Sequence, residues 1–209
     1  MAQKSKEIET LHLRFEGNLE RVHNLVALYD KLTPQGRGRR EVAATDLLRA
    51  AVVLLHASFE DLLRSLALWK LPGAAPEVLR ELPALGKSDG KGRIGLEELA
   101  RHRGRTVDEL ITNSVDAYLE KSNYNHPGDV KRLLVQCGLS EKLVAPFAGP
   151  LGTMMNRRHW IVHRVDRNYN QGSGQHLAKS LGKNNLILWI ETTQGLGHAI
   201  LTAAAGDHP

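Results

Sequence analysis

The segment NRRHWIVHRVDRN, residues 156–168, carries the residue types that phosphate binding and proton transfer need. Histidine has a reference pKa of about 6.5 and exchanges protons near neutral pH. Arginine offers a rigid fork of N–H donors to a phosphate oxygen. On an ideal helix, Arg158 falls within an apolar stripe that runs from Leu151 to Val165. Because burying an unpaired guanidinium is costly, we expect Arg158 to find a partner, to reach solvent or to line a cleft.

Three arrangements account for the charge in this helix. Arg158 could form a buried ion pair with Glu60, an acidic residue beside the apolar stripe of the second predicted helix. It could instead point into a wet site and bind an anion such as phosphate, with or without chemistry. His159, His163 and Asp166 fall on one flank and could ligate a metal ion. No other His, Cys or Asp cluster completes such a site in the sequence, so we expect no metal and no other cofactor.

The charge of the chain favours a polyanionic partner. Lysine and arginine number 28 against 23 acidic residues, which gives a formal net charge of +5. The arginines cluster in three places: Arg37, Arg39 and Arg40; Arg101, Arg103 and Arg105; and Arg157, Arg158, Arg164 and Arg167. Such clusters attract nucleic acids, although charged loops that only face solvent would give the same composition.

Cysteine usage and hydropathy indicate the compartment. The single cysteine, Cys137, excludes an internal disulfide and fits a reducing environment. Its surroundings, RLLVQCGLS, predict a small buried thiol. The first residues, MAQKSKEIET, lead into an amphipathic helix without a hydrophobic signal segment, and no apolar run approaches the roughly 18 residues of a membrane helix. We therefore expect a cytoplasmic protein with no membrane association.

Hydrophobic periodicity predicts an all-α fold. Apolar residues recur every three or four positions over residues 8–32 and again over residues 48–69. The short turn between these segments predicts an antiparallel pair of helices. A shorter helix is expected after Thr106, which forms a capping box with Glu109. Another is expected in GDVKRLLVQCG, with Asp129 as the N-cap and Gly138 as the stop.

The charged segment belongs to one of two later helices. Pro150 is well placed to open a helix that runs through residues 151–165. NLILWIETTQGLGHAILTAAA predicts a final packed helix, although residues 186–190 alone would also suit a buried strand. Residues 71–105, with three prolines and a glycine-rich run, predict a loop-rich excursion between the second and third main helices. The chain, residues 1–209, is thus expected to form a single domain, an up-and-down helical bundle.

RHWIVHR, followed by VDRN, resembles the R-x4-H signature of the HEPN superfamily, helical proteins that include many metal-independent ribonucleases. In this chain Arg158 is the arginine, His159 the polar residue that often follows it, and His163 the terminal histidine. DLLRAAVVLLHASFEDLLRSLA and SNYNHPGDVKRLLVQCGLS are similar to the early helix and the middle segment of one bacterial branch. The resemblance covers most of residues 40–205.

The resemblance implies a metal-independent endoribonuclease. His163 would transfer protons, Arg158 would bind the scissile phosphate and His159 would assist. Because Arg158 and His163 lie about 140° apart on one ideal helix, two protomers would bring their motifs together in a homodimer. The 2′-hydroxyl of RNA would attack and leave a 2′,3′-cyclic phosphate. The expected partners are RNA, a second copy of the chain and, for a toxin or defence component, an antitoxin or neighbouring regulatory protein.

Supporting residues are expected around the motif. Glu60 would orient a motif histidine or pair with Arg158, and Asp166 would position His163 or lie on the surface at the helix end. Three further arginines are expected to bind the RNA backbone through salt-sensitive contacts: Arg157, Arg164 and Arg167. The alternative is a non-catalytic HEPN-like module of the same fold that binds RNA or another protein.

Overall fold

The computed structural model describes residues 2–33, 42–83, 95–168 and 178–206. The helices in these ranges are α1 (Ala2–Leu32), α2 (Val42–Lys70), α3 (Pro76–Leu79), α4 (Leu96–Ala100), α5 (Val107–Lys121), α6 (Pro127–Gln136), α7 (Ala148–Arg164) and α8 (Lys183–Gly206). The predicted all-α fold is confirmed, since no strand occurs within the described ranges. The strand alternative for residues 186–190 is wrong, because they lie in α8.

The two long helices α1 and α2 pack antiparallel, as the short turn between them predicts. Arg14 donates a hydrogen bond to Ser65 (3.1 Å), and Asn18 donates one to Asp61 (3.3 Å). From Arg14 to Asn18 the residue numbers rise along α1, whereas those of their partners fall from Ser65 to Asp61 along α2. The two helices therefore run in opposite directions. Six residues of the stripe predicted on α1 are buried: Leu11, Phe15, Leu19, Val22, Val26 and Tyr29. The stripe ends before Leu32, which is exposed at the end of the helix.

The last helix, α8, packs antiparallel on α1 as well. Lys183 binds the carboxylate of Asp30 (2.7 Å) near one end of the contact, and His198 contacts Glu16 (2.6 Å) near the other. Helix α2 contacts α1, α5, α6, α7 and α8. It is therefore the central helix of the bundle and the one against which α7, the motif helix, is placed.

Gly197 sets how closely α8 approaches its neighbours. A Cβ atom at this position would overlap the ring of Phe15 and lie 3.2 Å from Cδ2 of Leu62. Both side chains are buried, so the ring has no free space into which to move. The glycine that weakens the helix propensity of α8 is thus required by packing.

Helices α5 and α6 both begin with a capping box, although one of the two predicted N-caps differs from the observed residue. Thr106 accepts from the backbone of Glu109, whose side chain accepts in return, so the predicted capping box is confirmed. The prediction of Asp129 as an N-cap is wrong, because the N-cap of α6 is His126. Asp129 lies three residues later and accepts from the backbone N–H of His126 at 3.0 Å. Gly138 follows α6 with a positive φ of 76°, as a helix stop requires.

The predicted excursion, residues 71–105, is only partly described, because residues 84–94 lie outside the described ranges. Its described part holds a 3-10 turn, Leu71–Gly73, and the short helices α3 and α4. Leu71 and Leu82 are buried, so the start of the excursion belongs to the core. The arginine cluster at residues 37–40 also lies outside the described residues.

The sequence predicts a buried thiol at Cys137 and no helix that crosses a membrane. Cys137 is buried, and this burial raises the pKa of its thiol to about 12, so the prediction of a buried thiol is confirmed. In the described part of the chain, none of the helices combines the length and the apolar character that crossing a bilayer would need.

Candidate functional site

The motif helix α7 leaves the core part of the way along its length. It begins at Ala148, two residues before Pro150, so the proline lies in its first turn. Three residues of its predicted apolar stripe are buried: Leu151, Met154 and Met155. Val162 and Val165, from the same stripe, are 46% and 75% exposed. The stripe prediction is therefore wrong for the last turn, because that turn lies at the surface and the spacing alone overestimates the buried face.

Asp166, just beyond α7, is a fully buried carboxylate between two arginines. Its Oδ2 atom accepts from Nε of Arg49 on α2 (2.9 Å) and from Nη2 of Arg157 on α7 (2.7 Å). Both arginines also donate to the backbone carbonyl of Lys179, at 3.0 Å and 2.8 Å. This network ties α2, the end of α7 and the segment before α8 together.

The backbone conformation after α7 aims Asp166 inward. Val165 and Asp166 both adopt positive φ values, 49° and 55°, and the N–H of Asp166 bonds to the carbonyl of Trp160 at 3.0 Å. This is the hydrogen bond that closes a helix through a left-handed residue. The carbonyl of Asp166 then accepts from the N–H of Lys179 at 2.8 Å. A β-branched valine is unusual in this conformation, so the contacts beyond the turn must hold it in place.

The contacts of Asp166 and Arg157 do not fit the roles expected for these two residues. Asp166 is neither a surface residue nor a partner of His163, because its described partners are Arg49 and Arg157. Arg157, expected at the RNA backbone, is held by this carboxylate and by main-chain carbonyls. Burial lowers the pKa of Arg157, and the nearby Asp166 charge opposes that effect without cancelling it. Arg157 therefore supports the fold in this geometry.

Arg158, one residue further, has a different environment. Its Nη1 atom donates to Oδ1 of Asn125 in the loop between α5 and α6 (3.4 Å), and its Nε atom is buried without a hydrogen bond. The ion pair with Glu60 is absent from the described residues, where the hydrogen-bond partner of Arg158 is the neutral amide of Asn125. The guanidinium is thus oriented without being neutralised by a contacting carboxylate.

Helix α2 holds the loop that carries Asn125. His56, fully buried, contacts the carbonyl of Tyr124 through Nε2 (3.1 Å), and Glu60 accepts from the N–H of the same residue (3.3 Å). Arg64, one turn further along, donates to the backbone carbonyl of Ser122 (2.5 Å). These three side chains follow one face of α2 at intervals of four residues. Glu60 therefore helps to hold the loop whose Asn125 orients Arg158.

Protonation of His56 should destabilise the folded chain below about pH 6.5. Burial lowers the pKa of His56 from its usual 6.5; Glu60 opposes this effect and Arg158 adds to it. The unfolded chain then takes up the proton at a higher pH than the folded chain does. The stability contribution is complete above the unfolded pKa and is lost as the pH falls through the folded pKa. Urea unfolding at a series of pH values from about 7.5 to about 5.5 measures this slope.

The comparison variant for this measurement is His56→Gln, whose amide can still donate to the carbonyl of Tyr124. We expect its stability to depend less on pH than that of the wild type. His23→Gln, at an exposed position on α1, should keep the full dependence. An unchanged slope in His56→Gln would contradict the role assigned to His56.

The two motif histidines lie together at the surface of α7. The ring centroids of His159 and His163 are 4.7 Å apart with an interplanar angle of 46°, and both residues are exposed. They are available to solvent and to a ligand, whereas Arg158 is partly buried against the loop. Within the described residues, His159 and His163 do not assemble with Asp166 as a group of metal ligands.

Two further cations of this region, Arg164 and Lys179, lie on Trp160. The guanidinium of Arg164 is 4.9 Å from the ring centroid, and the ammonium of Lys179 is 4.1 Å from it. Such cation–π contacts hold long side chains in place at a surface. Arg167 is exposed and joins Ala178 through a backbone bridge. Arg164 and Arg167 are thus both at the surface.

Two residues of the site escaped the sequence analysis as contributors. Asn125 orients Arg158 from 33 positions away, and Arg49 binds Asp166 across 117 positions. Neither contact produces a spacing signal, because both join separate elements. The proline after Asn125 and His126 marks a loop but does not indicate where the loop packs.

Comparison of the chain with protein-family models, with curated proteins and with solved structures finds no match. The likeness to the HEPN superfamily therefore stays a prediction from α2, residues 122–140 and α7.

Proposed function

We propose that this chain is a metal-independent endoribonuclease of the HEPN type. The observation that carries the proposal is the contrast between two adjacent arginines. Arg157 is bound by the buried carboxylate of Asp166 (2.7 Å), whereas Arg158 meets only the neutral amide oxygen of Asn125 (3.4 Å) among its described hydrogen-bond partners. A positioned guanidinium without a contacting carboxylate is suited to an external phosphate.

The exposed histidines supply the proton transfer that RNA cleavage needs. A base takes the 2′-hydroxyl proton, the 2′-oxygen attacks phosphorus, and an acid protonates the departing 5′-oxygen. We assign these steps to His163 of two copies, with His159 as an assisting group. Arg158 would stabilise the charge that develops on the phosphate oxygens. The products are a 2′,3′-cyclic phosphate and a 5′-hydroxyl, and DNA is not cut because it lacks the attacking group.

A shared site between two copies fits the directions of these side chains. Arg158 turns toward the α5–α6 loop, while His159 and His163 face solvent on the same helix. The exposed valines, Val162 and Val165, add apolar surface next to the histidines. An apolar surface of this kind favours a homodimer that would bring the complementary groups together. Unrestrained RNA cleavage harms the cell, so a toxin or defence role with a regulatory partner in the cytoplasm belongs to the same proposal.

Incubation of the purified protein with mixed RNA in EDTA tests the proposal. The wild type should release fragments that end in 2′,3′-cyclic phosphate. Arg158→Ala should lose about 10²–10³-fold in cleavage rate, the usual effect of removing one group that stabilises a transition-state charge. Arg132→Ala is the matched control, because Arg132 is an exposed arginine on α6 (side chain 72% exposed). It should cleave at the wild-type rate.

The other outcomes separate the alternatives. RNA that is retained but not cleaved would replace this proposal by the binding-only module. Full loss of cleavage on chelation would indicate a metal enzyme. Sedimentation of the active protein tests the shared site, since a monomer with full activity would contradict it. Circular dichroism confirms that the Arg158 variant is folded.

A further inference from the structure

Three side chains with metal-ligating atoms meet between α1 and α8, away from the motif on α7. His12 and Glu16 lie four residues apart, and therefore on one face of α1, and His198 reaches them from α8. One ligand atom from each residue lies within 4.8 Å of the other two. The group is partly open to solvent: His12 is exposed, and Glu16 and His198 are partly buried.

We propose that His12, Glu16 and His198 bind a divalent transition-metal ion of the zinc class. Two imidazoles and one carboxylate suit Zn²⁺ and its neighbours, whereas Mg²⁺ and Ca²⁺ prefer oxygen ligands alone. Zinc–nitrogen bonds of about 2.0–2.1 Å place tetrahedral ligands about 3.3 Å apart. Nε2 of His198 and Oε1 of Glu16 are 2.6 Å apart and share a hydrogen bond. This contact must open by about 0.7 Å to admit an ion between the two ligands.

The surroundings of the cluster restrain two of the ligands. Gln194, one turn before His198 on α8, donates to Oε2 of Glu16 (3.2 Å), which leaves Oε1 directed at His198. The ring of Phe15 meets the ring of His198 edge-on, with centroids 6.5 Å apart and an interplanar angle of 83°. Restraint of this kind, by groups that do not touch the ion, is what raises the affinity of a metal site.

The close approach of the two helices creates the site. Gly197 precedes His198 and lets the backbone of α8 pack directly on the Phe15 ring. The rings of His12 and His198 consequently lie 5.3 Å apart at their centroids. Three protein ligands leave a fourth position for water. The ion would join helices at opposite ends of the chain, and because it binds only the folded chain, it would stabilise that state by mass action.

Calorimetric titration of untagged, EDTA-treated and dialysed protein with Zn²⁺ tests this site. We expect one ion per chain and a higher unfolding temperature with Zn²⁺ but not with Mg²⁺. His12→Ala and His198→Ala should abolish both effects. Gln194→Ala should weaken binding by about 10–100-fold, as loss of a group that orients a ligand does. His23→Ala is the matched control, since His23 is an exposed histidine on the same helix outside the cluster.

Each outcome decides for or against the site. Retention of both effects in His12→Ala and His198→Ala, or their loss in His23→Ala, would overturn the proposal, as would a wild type that binds no Zn²⁺. His12 is exposed, so His12→Ala should fold even where the α8 variant fails. RNA cleavage is measured in EDTA, and failure of one proposal therefore leaves the other intact.

Discussion

Replacement of Asp166 by alanine is expected to lower the free energy of unfolding by about 3–5 kcal/mol, the usual loss when one partner of a buried ion pair is removed. The side chains of Arg49 and Arg157 are only 11% and 16% exposed. Arg157 would lose its described carboxylate partner, and Arg49 would keep only the exposed carboxylate of Asp46. Alanine also tolerates the left-handed backbone at this position poorly. Urea unfolding monitored by circular dichroism measures the loss.

A control on the same arginine is available at Asp46. Asp46 pairs with Nη1 of Arg49 at 2.9 Å, but its side chain is 62% exposed. Asp46→Ala should therefore cost at most about 1 kcal/mol, as exposed pairs do. Asp166→Asn separates the two causes, since asparagine accepts the left-handed conformation but carries no charge. Equal stability of Asp166→Ala and Asp46→Ala would contradict a structural role for the buried network.

Replacement of His163 by alanine is expected to slow RNA cleavage by about 10²–10⁴-fold, the range that one general acid or base contributes. The side chain is exposed at the end of α7, so its removal should leave the unfolding free energy within about 0.5 kcal/mol of the wild type. Single-turnover cleavage of a labelled RNA in EDTA, with the variant in excess, measures the chemical step. The prediction rests on the proposed nuclease activity.

The neighbouring histidine supplies the comparison. The rings of His159 and His163 are tilted against each other with centroids 4.7 Å apart. His159→Ala should reduce the rate less than His163→Ala, because His159 assists and does not transfer the proton. A substrate with a 2′-deoxy sugar at the cleaved position should be inert to the wild type, since the attacking hydroxyl is absent. Equal rates in His163→Ala and the wild type would remove His163 from the mechanism.

The sequence predicted the parts of the fold that depend on local spacing. Most of the periodic apolar residues of α1 and α2 are buried, and Thr106 and Glu109 form their capping box. Each of these signals lies within one helix, where residues three or four apart share a face. Even α8 follows this rule, despite its three glycines.

Contacts between helices could not be predicted in the same way. One partner of Asp166, Arg49, is on α2, 117 positions earlier, and the spacing within α7 carries no information about it. The spacing on an ideal helix predicts Asp166 either beside His163 or on the surface at the helix end, but α7 ends at Arg164 and the chain turns through two left-handed residues. That turn directs the carboxylate into the protein. The apolar stripe predicts that Arg158 is partly buried, as it is. The spacing does not predict that its hydrogen-bond partner is Asn125.

The packing of α8 against α1 has a consequence for the order in which the bundle can form. Phe15 lies between α2 and the bare backbone at Gly197, so one side of the earliest helix stays uncovered while the ribosome synthesises the middle of the chain. It is covered only when the final 24-residue helix has emerged. Truncated chains would therefore expose this aromatic surface, and such surfaces drive aggregation and recruit chaperones.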